Sequence, residues 1–187
     1  FGIEPDPNAQ VIAKKLHLNV FQGFISDNPF PKVKFDYITG SQVIEHDPDP
    51  IAFLRNVRQR LRLGREIILS FPNTDSIYQK IFRNKWLNWH VPYHLSFLTK
   101  KSLKVAANEA GLEIRKIRTI TPNLWTVLQL RMFISPVAEG RQNPIWVNTA
   151  KTNSKSGSNG VVSSLLKKSL PMVIFLLSFA NRVIDLF

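Results

Sequence analysis

The chain contains no cysteine. That excludes a disulfide-stapled scaffold, a cysteine-ligated zinc or iron–sulfur site and a thiol nucleophile. Glycine is also scarce. The eight glycines stand at 2, 23, 40, 64, 111, 140, 157 and 160, and no two are two residues apart. No G-x-G exists anywhere, so a glycine loop of the G-x-G-x-x-G type is absent. No apolar run reaches the roughly 20 residues of a membrane-spanning helix. The longest, LPMVIFLLSFA at 170–180, stops at Asn181 and Arg182. It reads as a packed helix or a lid, or else as an interfacial helix whose Lys167 and Lys168 face anionic headgroups. The chain opens on Phe1-Gly2-Ile3-Glu4 without a basic, apolar leader. The expected location is therefore the cytoplasm, with membrane-surface contact through 161–187 as the peripheral variant.

What is present is a globular composition: 187 residues, 44% hydrophobic and 20% charged, enough for one domain with a core. A disordered tail and a collagen-like fibre are ruled out. Acids are outnumbered 13 to 25 by Lys and Arg, for a formal net charge of +12. The excess is uneven. Residues 1–50 carry four lysines against seven acids, while 51–120 carry fourteen basic residues against four acids. Arg55, Arg58, Arg60, Arg62 and Arg65 form one cluster, and 55, 58 and 62 share a helical face. That pattern is a solvated helix surface or a contact for a polyanion or anionic membrane.

Apolar periodicity places strands at 1–4, 18–21, 35–41 and 66–71, and a further alternating one at 112–120. Between them lie helices. Asp6-Pro7 and Asp49-Pro50 each pair a capping acid with a proline at the first helical position. Thr99 caps a third helix with inner face Leu103, Ala106, Ala107 and Ala110, closed by Gly111; Gly64 is expected to close the second in the same way. Strands alternating with helices argue for a parallel α/β sheet over residues 1–120. Beyond 120 the pattern turns helical, at 124–134 and 161–186, around a polar, linker-like stretch at about 151–160.

In an open α/β sheet ligands lie at the carboxyl ends of the strands. Three such ends carry informative residues. Glu4 is an acid at a strand tip, placed either to accept both hydroxyls of a ribose or to complement a helix dipole. The turn GFISDNPF (23–30) follows the second strand, and SQVIEHDPDP (41–50) leaves the third to enter a helix. His46 reads as a base near neutral pKa or as a loop histidine bonded to the helix start, and His94 divides likewise between base and structural roles. His17 and His90 read as structural or surface residues. No metal-ligand set is expected.

Three segments in order, FGIEPDPNAQVIAKK, GFISDNPFPKVKFDYITGSQVIEHDPDPIAFLRNVRQRLRLGREIILSFPN and WLNWHVPYHLSFLTKKSLKVAANEAGLEI, resemble the class I S-adenosylmethionine-dependent methyltransferases. The likeness is to the branch with quinone-biosynthesis and polysaccharide-cluster enzymes. The resemblance implies a Rossmann-like three-layer α/β sandwich over 1–120, followed by a C-terminal helical extension over 121–187. The implied cofactor is S-adenosylmethionine. Glu4 would hold the ribose hydroxyls, with Pro5 and Asp6 flanking the adenine and Ile25, Ser26 and Asp27 at its other edge. Ser41, Gln42 and Val43 would lie beneath the methionine part. His46 and His94 would face the substrate as the catalytic pair, and Trp86, Trp89 and Tyr93 would wall the acceptor pocket.

The family's first strand, with its glycine-rich turn, and its last antiparallel strand have no counterpart in the sequence. The expected fold is incomplete to that extent, and these residues alone are expected to bind S-adenosylmethionine weakly or not at all. The implied activity is methyl transfer to a small-molecule or lipid-linked sugar acceptor. Two alternatives stay open: a non-catalytic remnant or interaction module that keeps the fold, and a nucleic-acid methyltransferase. A nucleic-acid partner is not expected, because the N/D-P-P-Y/F tetrapeptide and any RNA-binding module are missing.

Overall fold

An aspartate followed by proline starts two of the helices, as their sequence signals require. In the computed structural model, which describes residues 1–134, Asp6 caps α1 (Pro7–Lys15) and Asp49 caps α2 (Pro50–Arg60). Asp49 Oδ1 accepts from the amides of Ile51 and Ala52 at 3.0 and 2.9 Å, satisfying two donors that an α-helix leaves without partners. The expected linker at 151–160, the helical stretch 161–186 and its membrane contact lie outside the described residues.

The described chain falls into two units. The first combines Phe1–Asp75 with His90–Ile117; the second combines Ser76–Trp89 with the chain from Arg118 onward. In the first unit β1 (Gly2–Glu4) pairs in parallel with β2 (Val20–Gln22) across α1. Likewise β3 (Phe35–Ser41) pairs in parallel with β4 (Leu61–Ser70) across α2. The parallel α/β expectation holds, but among the described residues the strands form two two-stranded sheets, not one continuous sheet. Aromatic edge-to-face contacts link them: the Phe30 ring lies 5.0 Å from Phe1, 6.3 Å from Phe21 on β2 and 6.4 Å from Phe35 on β3.

Two expectations are corrected. Gly64 does not close α2. The chain passes from Arg60 directly into β4, where Gly64 takes φ +74° inside an irregularity of the β3–β4 register. Arg62 and Arg65 flank that glycine and pair with Asp36 at 2.7 and 3.0 Å, so Arg62 leaves the helical face expected of it. The alternating segment 112–120 forms no strand. Its burial alternates, but among the described residues it finds no ladder partner, and a strand needs one.

The core of this unit lies between α2 and α4 (Lys100–Glu109), against the β3–β4 sheet. Phe53, Leu54 and Val57 meet Ala106 and Ala110, with Ile44 and Leu98 filling the space beside Ile38 and Ile67. Arg60 is also buried; its Nε donates to Pro29 O at 3.2 Å and its Nη2 to Asn28 Oδ1, which meets the requirement that a buried charge be hydrogen-bonded.

In the second unit α3 (Ile77–Phe82) and two short 3-10 turns, Arg83–Lys85 and Leu87–Trp89, accompany α5 (Asn123–Ile134). Gln129 on α5 is 2% exposed. Its Oε1 accepts from Leu87 N at 2.7 Å and its Nε2 donates to Lys85 O at 2.8 Å. Among the described residues no helix is long and apolar enough to cross a membrane.

Candidate active site

The strand tips of the first unit carry most of the residues expected to be functional. Glu4 ends β1 half-buried, and one carboxylate oxygen accepts from Asp6 N at 3.0 Å. A carboxylate has about four acceptor positions, so this bond leaves capacity for two hydroxyls. Pro5 is exposed. Asp6 spends its side chain on capping, accepting from Asn8 N and Nδ2 at 2.8 and 3.0 Å. Ile25, Ser26 and Asp27 form a 3-10 turn just after β2. Ile25 packs against the core, Ser26 is exposed, and Asp27 closes the turn by accepting from Phe24 N at 2.7 Å.

At the end of β3, Ser41 Oγ accepts from Ser70 Oγ at 2.9 Å on the neighbouring strand tip. The chain then turns sharply. Gln42 sits at φ +55°, a region unusual for a residue with a Cβ, while its amide donates to Ser70 O at 2.8 Å. Val43 is exposed, Ile44 is sunk into the core at 1% exposure, and the 3-10 turn Ile44–His46 follows. Anchoring Ile44 aims Glu45 inward and His46 outward.

The segment 90–96 is laced onto this turn. Leu95 N and Ser96 N both donate to Glu45 O, at 2.8 and 3.0 Å, and Ser96 Oγ donates to Asp47 O at 2.7 Å. His46 Nδ1 lies 2.9 Å from Tyr93 O. A carbonyl only accepts, so Nδ1 carries a proton, and in the neutral ring it is Nε2 that presents the lone pair. The buried His94 ring stands edge-on to His46 at 4.8 Å, and His90 stands edge-on to His94 at 5.0 Å. Burial, and secondarily the charge of His46, pushes the His90 pKa down. Glu45 moves the other way: burial raises its pKa, with its own backbone amide and His46 pulling back.

The two expected histidines, 47 residues of intervening turn, strand and helix notwithstanding, are thus brought together. Tyr93 supplies the carbonyl that orients one of them, while its exposed ring packs on His90 at 4.9 Å. Trp86 and Trp89 belong to the second unit. They stack edge-on to each other at 5.5 Å, Trp86 is buried, and the Trp89 indole donates to Arg83 O at 2.6 Å. Two members of the cluster escape a reading of residue types alone. Glu45 has a weak sequence signal, its place between the apolar Ile44 and His46. His90 has only its spacing of four from His94.

A solved structure with a similar fold is a SAM-dependent methyltransferase from Thermotoga maritima, described as a possible histamine N-methyltransferase. It superposes with a TM-score of 0.51 at 23% identity, covering 61% of this chain and 55% of that one. The match therefore spans about half the length of that protein, and what it shares is the Rossmann-like α/β fold. Among curated proteins none matches. The model of a methyltransferase domain matches residues 1–117, more than half of the chain and all of the strand tips described above. The chain belongs to that methyltransferase domain family.

Proposed function

We propose that the chain carries the ribose-binding and acceptor-facing parts of an S-adenosylmethionine-dependent methyltransferase acting on a small-molecule or lipid-linked sugar acceptor. A methyltransferase domain implies that cofactor, and the carboxylate acceptor at the tip of β1 fits its ribose end. The observation that carries the reading is Glu4, a half-buried acid with spare acceptor capacity at the carboxyl end of β1.

When bound, the cofactor supplies a methyl group already activated on a sulfonium. What remains for the protein is binding, alignment and exclusion of water, worth roughly 7–11 kcal/mol in well-oriented reactions. Glu4 holds the ribose hydroxyls. Pro5, Asp6 and the turn of Ile25, Ser26 and Asp27 border the base; Asp6 does so while capping α1. Ser41, Gln42 and Val43 line the methionine side with backbone held by the Ser70 carbonyl. His46 and His94 face the acceptor, where basic nitrogens assist loss of a hydroxyl proton.

The test is methyl transfer from radiolabelled S-adenosylmethionine by the protein that carries this chain, against a panel of hydroxylated small molecules and lipid-linked sugars. Glu4→Ala is expected to raise the KM for the cofactor by about tenfold or more, the effect of removing a charge-assisted hydrogen-bond acceptor. His94→Ala is expected to lower kcat. A folded protein whose cofactor binding is indifferent to Glu4→Ala overturns the reading.

A further inference from the structure

Glu45 has a requirement that its protein neighbours do not meet. The residue is 2% exposed, and neither carboxylate oxygen has a hydrogen-bond partner on another residue. Buried charges are paired, or they coordinate metals. Beside it His46 presents Nε2, since its Nδ1 proton goes to Tyr93 O, and His94 completes a group in which one ligand atom from each residue lies within 4.8 Å of the others. We propose that Glu45, His46 and His94 form a three-ligand site for a divalent transition-metal ion, with zinc the preferred occupant.

The donor set decides the class of ion. Two imidazoles and one carboxylate suit Zn²⁺ and its first-row neighbours, whereas Mg²⁺ and Ca²⁺ call for oxygens. The scaffold is suited to hold them. Ile44 is locked in the core, the Glu45 carbonyl receives two amides from the 90–96 segment, and the Tyr93 carbonyl fixes the His46 tautomer, as outer partners of ligating histidines do. Bonds of about 2.0–2.2 Å from a common ion would draw the three atoms inward, which the exposed His46 ring can follow by rotation. Three protein ligands leave a coordination position open, as in catalytic rather than structural zinc sites. This rests on the methyl-transfer reading above, with His46 and His94 acting through the ion as its ligands instead of as free bases: that position is where an acceptor hydroxyl binds and gives up its proton to solvent water more readily.

The ion itself is the readout. The chain is stripped with a chelator and titrated with zinc chloride by calorimetry, with thermal unfolding followed in parallel. One equivalent is expected to bind at micromolar concentration or below and to raise the unfolding midpoint. Glu45→Gln, His46→Gln and His94→Gln are each expected to weaken binding by about tenfold or more, while His17→Asn, at an exposed histidine outside the cluster, binds as the parent does. Glu45→Gln keeps the buried shape, so its zinc-free melting curve reports whether the fold survives; the exposed His46 carries the test if a buried variant unfolds. No binding at millimolar zinc, or binding that His46→Gln leaves unchanged, overturns the site. A protein that takes up zinc but transfers no methyl group overturns the enzymatic reading instead and leaves the ion site standing.

Discussion

Gly111 stops α4 through its backbone. At φ +71° it lets Leu112 N reach Ala107 O at 2.8 Å while its own amide donates to Asn108 O at 2.9 Å, a Schellman closure that satisfies two terminal carbonyls. A Cβ there would meet the Arg58 guanidinium at 3.1 Å. Gly111→Ala is expected to destabilise the protein by about 1–2 kcal/mol, read as a lower urea midpoint with an unchanged slope. The position was legible in the sequence, because a glycine directly after a periodic apolar face has this meaning. Gly64 follows a similar face and means something else: α2 runs straight into β4, and the left-handed residue serves the bulge that seats Asp36 between two arginines. Glu45 was barely legible. Its interest comes from burial without partners, and that depends on segments far along the chain.

Elements were the most legible level. The Asp-Pro starts of α1 and α2, the Thr99 cap of α4 with Ser102 completing the box, and β3 over Phe35–Ser41 stand where local signals put them. These signals act within a turn or two, so a linear sequence contains them. The segment after Gly111 shows the boundary of such reasoning: alternation fixes which side chains face inward, but pairing needs a neighbour the pattern does not name. Asp49 offers a test of the local part. Its carboxylate holds the start of α2, the helix that carries Phe53, Leu54 and Val57 into the core. Asp49→Ala is expected to cost about 1 kcal/mol, measured as a lower midpoint of thermal unfolding, with the helix content of the folded state nearly unchanged by circular dichroism.

For the molecule as a whole, charge is the dominant long-range property. The net +12 is concentrated after residue 50; Lys100, Lys104, Arg115 and Lys116 gather around one shallow cavity of about 290 Å³. Arg115 is partly compensated by Glu66, but an exposed pair contributes little. Self-repulsion of this kind is screened once the Debye length falls to about 10 Å near 0.1 M salt. The unfolding midpoint is therefore expected to be higher in about 0.3 M than in about 20 mM sodium chloride; a midpoint that falls with salt would show that the exposed ion pairs outweigh the repulsion. Division of the strands into two parallel pairs, and the meeting of His46, His90 and His94, belong to this scale too. Both depend on contacts between distant segments, which is why residue types and spacing alone did not reveal them.

Gln129 has a consequence for how α5 settles. The helix carries Leu124, Trp125, Val127, Leu128, Leu130 and Met132 around much of its circumference, while the buried side chains among its described residues are polar, Thr126 and Gln129. Thr126 meets the Tyr78 hydroxyl at 2.7 Å, and Gln129 grips one donor and one acceptor of the 85–87 backbone. Grease on nearly every side would let such a cylinder spin; the two polar contacts act as a detent that selects one rotational setting. Gln129→Leu is expected to keep the far-ultraviolet signal while blurring the near-ultraviolet bands of the tryptophans, a helix still formed but no longer indexed.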